Sequence, residues 1–192
     1  MSDGSAESAD LVGAGIAPRP RRLLLACVAA LLVSGCGAGG QTAGTGDTTM
    51  QQAAEQADSM LDDTLGAIEP GVQWTHGATS AGSCDVSRRR VVMTVISPGR
   101  VGSLLGLVQR SWETSGYRIK SVNKDEEFPA IYAQSRDGYG IALTVGAERQ
   151  VFFEATTPCV KQSDVSAPTA SPNGPAYKYP VPRPNVHSEF WS

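Results

Sequence analysis

The side chains able to do chemistry are few, and their spacing excludes most reactions. Ser121-Val122-Asn123-Lys124 has the Ser-x-x-Lys spacing of a lysine-activated serine. That chemistry needs the serine at a helix start and a Lys-Thr-Gly element. Here Ser121 falls in a strand pattern and the second element is absent. His76 stands beside Trp74 and Thr75 without a Gly-x-Ser-x-Gly motif, and His187 lies in a proline-rich stretch. Neither has neighbours at zinc-ligand spacing. Gly99, Gly102 and Gly106 lack the Gly-x-Gly-x-x-Gly order of a dinucleotide site. The expectation is no catalytic residue, no metal and no cofactor. Arg88-Arg89-Arg90 is the strongest charge cluster. Arg88, Arg89 and Arg90 read either as a solvated strand start facing an acidic helix, or as contacts to an anionic partner such as a lipid headgroup or cell-wall phosphate. Glu55, Asp58, Asp62 and Asp63 make that helix acidic, as a solvated face or a cation- or partner-binding ridge. Asp62-Asp63 lacks the loop of oxygen ligands that calcium requires.

Composition sets the class. The chain has 192 residues, 41% hydrophobic and 18% charged, with a net charge of -3. That allows one ordinary domain and argues against a nucleic-acid protein, whose footprint is basic. No apolar run reaches the roughly 18 residues of a membrane-spanning helix.

The amino end carries an address. Arg19, Arg21 and Arg22 precede an apolar run from Leu23 to Val33. As a helix that run spans about 16 Å, half a bilayer core, which suits a signal-peptide core and not a spanning anchor. It ends in Val33-Ser34-Gly35-Cys36, which resembles a bacterial lipobox. The resemblance implies a signal peptide over 1–35 and acylation of Cys36, which anchors the chain in the bilayer on its extracytoplasmic face. Arg21-Arg22 partly resembles a twin-arginine export signal, but Pro20 replaces the usual Ser or Thr; both export routes stay open, as does a translation start near Val12. Gly37 to Gly46 is half glycine and reads, with Cys36, as a tether over 36–46.

From residue 47 the pattern is that of an α+β domain reaching to 160. Asp47 or Thr48 caps a helix whose apolar stripe is Met50, Ala53, Ala54, Ala57, Met60 or Leu61, Leu65 and Ile68, before Pro70-Gly71. Residues 71–85 read as a loop. A first strand follows over Val91 to Ile96. Ser97-Pro98 then starts a helix striped by Val101, Leu104, Leu105, Val108 and Trp112, closed by Gly116. Four more strands are expected at 117–122, 130–135, 141–145 and 151–155, with Asp137-Gly138 as a hairpin turn. The fold expected is a five-stranded, mostly antiparallel sheet in the order 2-3-4-5-1, with a crossover helix and an N-terminal amphipathic helix. Residues 161–192 hold half of the prolines and read as a disordered tail, with Phe190-Trp191 either solvated or docking on something.

Cys27 lies within the signal core, and Cys36 is the lipobox cysteine. Outside the cytoplasm the remaining two, Cys84 and Cys159, are expected to pair as a disulfide, bringing the first and fifth strands side by side. A free thiol or a metal ligand is the alternative. With its lipobox, glycine-rich tether and small cysteine-bracketed domain, the chain resembles the small lipoproteins of actinomycete bacteria. That resemblance implies an envelope location and no defined activity. The functional expectation is a non-enzymatic lipoprotein of the cell membrane that binds an envelope protein or cell-wall partner. The alternative is a small-ligand binding or sensing module.

Overall fold

The computed structural model describes residues 47–175, 177–178 and 180–192. The expected signal peptide with Cys27, the expected lipobox with Cys36, and the expected tether up to Gly46 lie outside the described residues.

Helix α1 spans Met50–Gly66. Its cap is Thr49, one residue beyond the expected pair. The Thr49 hydroxyl accepts from the Gln52 N–H, and the Gln52 side chain accepts from the Thr49 N–H, a reciprocal capping box. The expected stripe is the buried face, with Met60 and Leu61 both inside. Helix α2 spans Pro98–Thr114, with Ser97 as cap and Pro98 in its first turn; Leu104, Val108 and Trp112 are buried. Gly116, at φ 81°, ends it in a left-handed turn, where the Tyr117 N–H donates to the Trp112 carbonyl at 2.8 Å. The helices are joined by the Trp112 indole N–H, which donates to Thr64 Oγ1 at 2.9 Å.

The strands are β1 Trp74–His76, β2 Ser80–Ala81, β3 Val86–Val92, β4 Arg118–Asn123, β5 Ala130–Gln134, β6 Gly140–Val145 and β7 Val151–Thr156. They form a seven-stranded sheet in the order β1-β3-β7-β6-β5-β4, with β2 also on β3, and every pairing between these strands is antiparallel. The sheet differs from the expected one by two added strands, while the five expected strands keep their 2-3-4-5-1 sequence as β4-β5-β6-β7-β3. The segment 71–85, read as a loop, supplies β1 and β2, so β3 lies inside the sheet and not at its edge. Strands of three and two residues are too short to show a period. β3 also begins earlier than expected, at Val86, and takes the arginine triplet into the strand. Alternate residues of β3, β6 and β7 bury Val86, Val92, Ile141, Leu143, Val145, Val151, Phe153 and Ala155 in one core with the apolar faces of both helices.

Cys84 and Cys159 are bonded, with Cα atoms 4.8 Å apart and 75 residues between them. They lie just before β3 and just after β7, which are neighbours in the sheet. Closing so long a loop restricts the unfolded chain by about 4 kcal/mol in the entropy model.

In the segment 161–192, expected to be disordered, the described residues lie along the domain as a strap. The Met50 N–H donates to the Lys161 carbonyl at 2.9 Å, the Val186 N–H to Met93 at 3.0 Å, and the Val95 N–H to Val186 at 2.8 Å. Trp191 is 1% exposed and its indole donates to the Pro70 carbonyl at 2.6 Å. Apart from a last turn in which the Ser192 N–H donates to the Ser188 carbonyl, the strap's described backbone bonds run mostly to other segments, so its own sequence carries no periodic signal. Trp191→Ala is expected to lower stability by about 3–5 kcal/mol in urea unfolding, and Phe190→Ala, at a half-open position, by under about 1 kcal/mol. Equal small losses would place Trp191 outside the core.

Candidate functional site

The pleat of β3 separates the arginine triplet. Arg88 and Arg90 point under α1, and Arg89 points to the opposite face. Arg88 is 1% exposed: its Nε lies 3.1 Å from Asp58 Oδ2, its Nη1 donates to Thr79 Oγ1 at 2.6 Å, and its Nη2 to the Ser166 carbonyl at 2.7 Å. Arg90 is fully buried, and its Nη2 donates to Asp58 Oδ1 at 2.9 Å and to Asp62 Oδ1 at 3.2 Å. The Arg90 guanidinium also lies 4.9 Å from the centre of the Trp74 ring. Two cations and two carboxylates therefore form a neutral group, with Arg88, Arg90 and Asp58 inside the domain and Asp62 at its solvent edge. The acidic ridge of α1 is in part the inner counter-charge of β3. The anionic-partner reading is thus narrowed: Arg88 and Arg90 are occupied internally, and Arg89 alone faces outward. There its Nε donates to Glu154 Oε2 at 2.8 Å, beside the Phe152 ring.

His76 lies opposite Arg90 in the β1–β3 register. Its ring meets Trp74 edge-on, with centroids 5.3 Å apart. Nε2 is 2.7 Å from the Ala170 carbonyl, which only accepts, so Nε2 carries the proton. Nδ1 is buried without a hydrogen-bond partner among the described residues. Burial is the main cause that holds the His76 pKa below its ordinary 6.5, and Arg90 adds to it; the Ala170 carbonyl, Asp58 and Asp62 oppose. With no hydrogen bond to a hydroxyl or thiol nucleophile among the described residues, His76 acts as a clasp on the strap. A second clasp is Asn173, whose Oδ1 accepts from the Trp74 N–H and whose Nδ2 donates to the Val72 carbonyl, both at 2.8 Å. Neither clasp is legible in the sequence, because both join β1 or its approach to a segment almost a hundred residues away.

The other face of the sheet is open in part: no helix covers it, Tyr132 is exposed, Phe152, Thr144, Ala142 and Glu154 are half-buried, and Val91 and Ala130 are buried. Arg89, Glu154, Ala142, Tyr132 and Ser121 lie opposite one another in one row across five strands, and Phe152, Thr144 and Ala130 belong to the next. Tyr132 is 43% exposed. A shallow hollow of about 390 Å³ lies over this face, between Lys120, Tyr132, Ala142 and Glu154. A second cavity, of about 320 Å³, is formed by Pro98, Val101, Pro129, Glu126, Glu127 and Arg149 where α2 begins. A third, of about 450 Å³, lies between Gly116 and Gly138. Ser121 sits on the edge strand β4 and Lys124 in the turn after it, so the Ser-x-x-Lys spacing has no helix to work from. Among the described residues, no group of three or more His, Cys, Asp or Glu side chains is placed to hold a metal.

The fold is similar to the crystal structure of a DUF4853 family protein from Actinomyces odontolyticus, with a TM-score of 0.39 and 12% identity over 72% of this chain and 78% of that one. No protein-family model matches the chain, and no curated protein matches it.

Two outcomes test the inner site. Asp58→Ala leaves two buried guanidinium groups short of a counter-charge and is expected to cost about 3–5 kcal/mol. Asp62→Ala, at a position open to solvent, should cost under about 1 kcal/mol. Denaturant titration separates them, and equal losses would refute the role given to Asp58. For His76 the folded pKa is the lower one. Its stabilising contribution is therefore complete above the unfolded value of 6.5 and is lost as pH falls from there toward the folded pKa. His76→Gln should flatten the stability profile just below neutrality, and an unchanged slope would count against this assignment.

Proposed function

We propose that the chain is a non-enzymatic envelope lipoprotein, anchored through acylated Cys36, that binds a protein or cell-wall partner through the open face of its sheet. That open face is the observation carrying the reading. Both helices pack against the opposite face, and the helix-free one presents Tyr132, Phe152 and Thr144 on a rigid support. The lipobox residues Val33 to Cys36 support the location, and the Cys84–Cys159 bond fits an oxidising compartment.

Five strands about 4.8 Å apart and some six residues long span roughly 20 Å by 20 Å. That is about half of the ~800 Å² per partner of a standard interface. A partner of ordinary affinity would also engage the β4 edge or the neighbouring loops.

A small-ligand role has one observation in its favour. The 320 Å³ cavity against Val101, Pro129 and Val145 is within the size range of small-molecule sites.

A photo-crosslinking amino acid at Tyr132 in living cells is expected to give a discrete adduct in the membrane fraction, where the same residue at Glu113 on α2 gives none. Cys36→Ala should release the protein from that fraction. Equal labelling at both positions would overturn the sheet-face reading, and membrane retention at unchanged mass would overturn the anchor.

A further inference from the structure

The arginine triplet is spent on Asp58, Asp62 and Glu154, but a second group of cations is not. Among the described residues, Arg118, Lys120 and Arg136 form no ion pair. The topology gathers them at one end of the sheet. Arg118 begins β4 and lies opposite Gln134 on β5, and Arg136 stands in the turn that follows β5. Arg118 and Arg136 line the same cavity of about 450 Å³, together with Gly116, Gln134, Ser135 and Gly138.

The cavity wall is ordered by hydrogen bonds and by the two glycines. Gln134 Oε1 accepts from Arg118 Nη2 at 3.2 Å, and its Nε2 donates to the Gly138 carbonyl at 3.3 Å. This orients the Gln134 amide and holds the Arg118 guanidinium at the cavity. Gly116 and Gly138 have φ of 81° and 90°, a conformation that favours glycine, so two of the walls are bare backbone. Arg136 reaches over the first of them: its Nη2 is 3.9 Å from where a Cβ on Gly116 would stand. Arg118 uses one donor within the protein, and Arg136 makes no hydrogen bond among the described residues. Lys120 borders the adjoining hollow across the shared Gln134. The nearby acids in sequence, Glu113 and Asp137, form no ion pair with either arginine among the described residues.

We infer that this cavity is an anion site for a phosphate group. Two guanidinium forks lining one space repel each other until an anion enters, and each fork matches a pair of phosphate oxygens. The cavity is roughly fifteen times the ~30 Å³ of a water molecule, so it also has room for part of whatever carries the phosphate. A free phosphate compound and a lipid headgroup share this chemistry.

The test uses the full chain with Cys36→Ser, so that no acyl chain contributes. The amide signals of Gly116 and Gly138 are followed by NMR during titration with inorganic phosphate at constant ionic strength. The expected result is a saturable shift at both glycines, absent with chloride and unchanged in Arg89→Gln. Arg118→Gln or Arg136→Gln should each weaken it about tenfold, the size of one lost charged hydrogen-bond pair. Both variants are at the surface, and unchanged signals elsewhere show that they fold. A shift linear in concentration, one matched by chloride, or one retained in both variants overturns the site. Phosphatidylglycerol vesicles form the second arm, with phosphatidylcholine as the neutral control. Vesicle binding lost in the same variants supports the site with a headgroup as ligand. A phosphate response without vesicle binding supports it with a soluble phosphate compound.

Discussion

Asp58 holds two guanidinium groups that the rest of the domain has closed off from water. An uncompensated buried ion costs several kcal/mol, against a total stability of about 5–15 kcal/mol for a domain. Arg88 and Arg90 are thus affordable only where α1 lies over β3 with Asp58 between them. The same contact selects the register. A slip of one residue would turn Arg88 and Arg90 outward and bring Arg89 and Val91 beneath α1, leaving Asp58 and Asp62 with one arginine in place of two. Trp74 adds a specific seat for Arg90, so β1 is recruited to the group as well.

The strap depends on this cluster. Arg88 reaches through it to the Ser166 carbonyl, and His76, across from Arg90, holds the Ala170 carbonyl. Asn173 then covers the backbone of Trp74 on β1. One edge of the sheet is therefore overlaid by the chain's own carboxyl-terminal segment. At the other edge, β4 carries Arg118 and Lys120, basic residues of the kind that keep an open edge from pairing indiscriminately. The helices occupy one face and leave the other partly open to solvent. The surfaces left for a partner are that face, the β4 edge and the cavities beside it.

What the sequence made legible was local. The stripe of α1, the Ser97-Pro98 start of α2, its glycine stop and the Asp137-Gly138 turn each depend on residues a few positions apart. Cys84 and Cys159 were readable over a long separation on the expectation of an oxidising compartment, where cysteines have few other fates. The remainder required distant partners. Three arginines in a row look like a surface, and only the acidic face of α1, some thirty residues earlier, turns two of them inward. β1 is three residues long and is held by β3 and the strap. The strap in turn has no stripe, because each of its anchors (Lys161, Ser166, Ala170, Asn173, Val186 and Trp191) pairs with something else. His76 was visible as a lone histidine, but its role rests on the Ala170 carbonyl. Arg118 and Arg136 meet only because β4 and β5 are neighbours.

The account rests on the buried arginines tying the strap to the core, and amide hydrogen exchange in an Arg88→Met variant tests this most directly. Methionine keeps much of the volume and removes the bonds to Asp58, Thr79 and Ser166. The account predicts faster exchange across residues 161–175, including the Ser166 amide that donates to Gln51, with the β5–β6 hairpin still protected. Unchanged protection over 161–175 would contradict it.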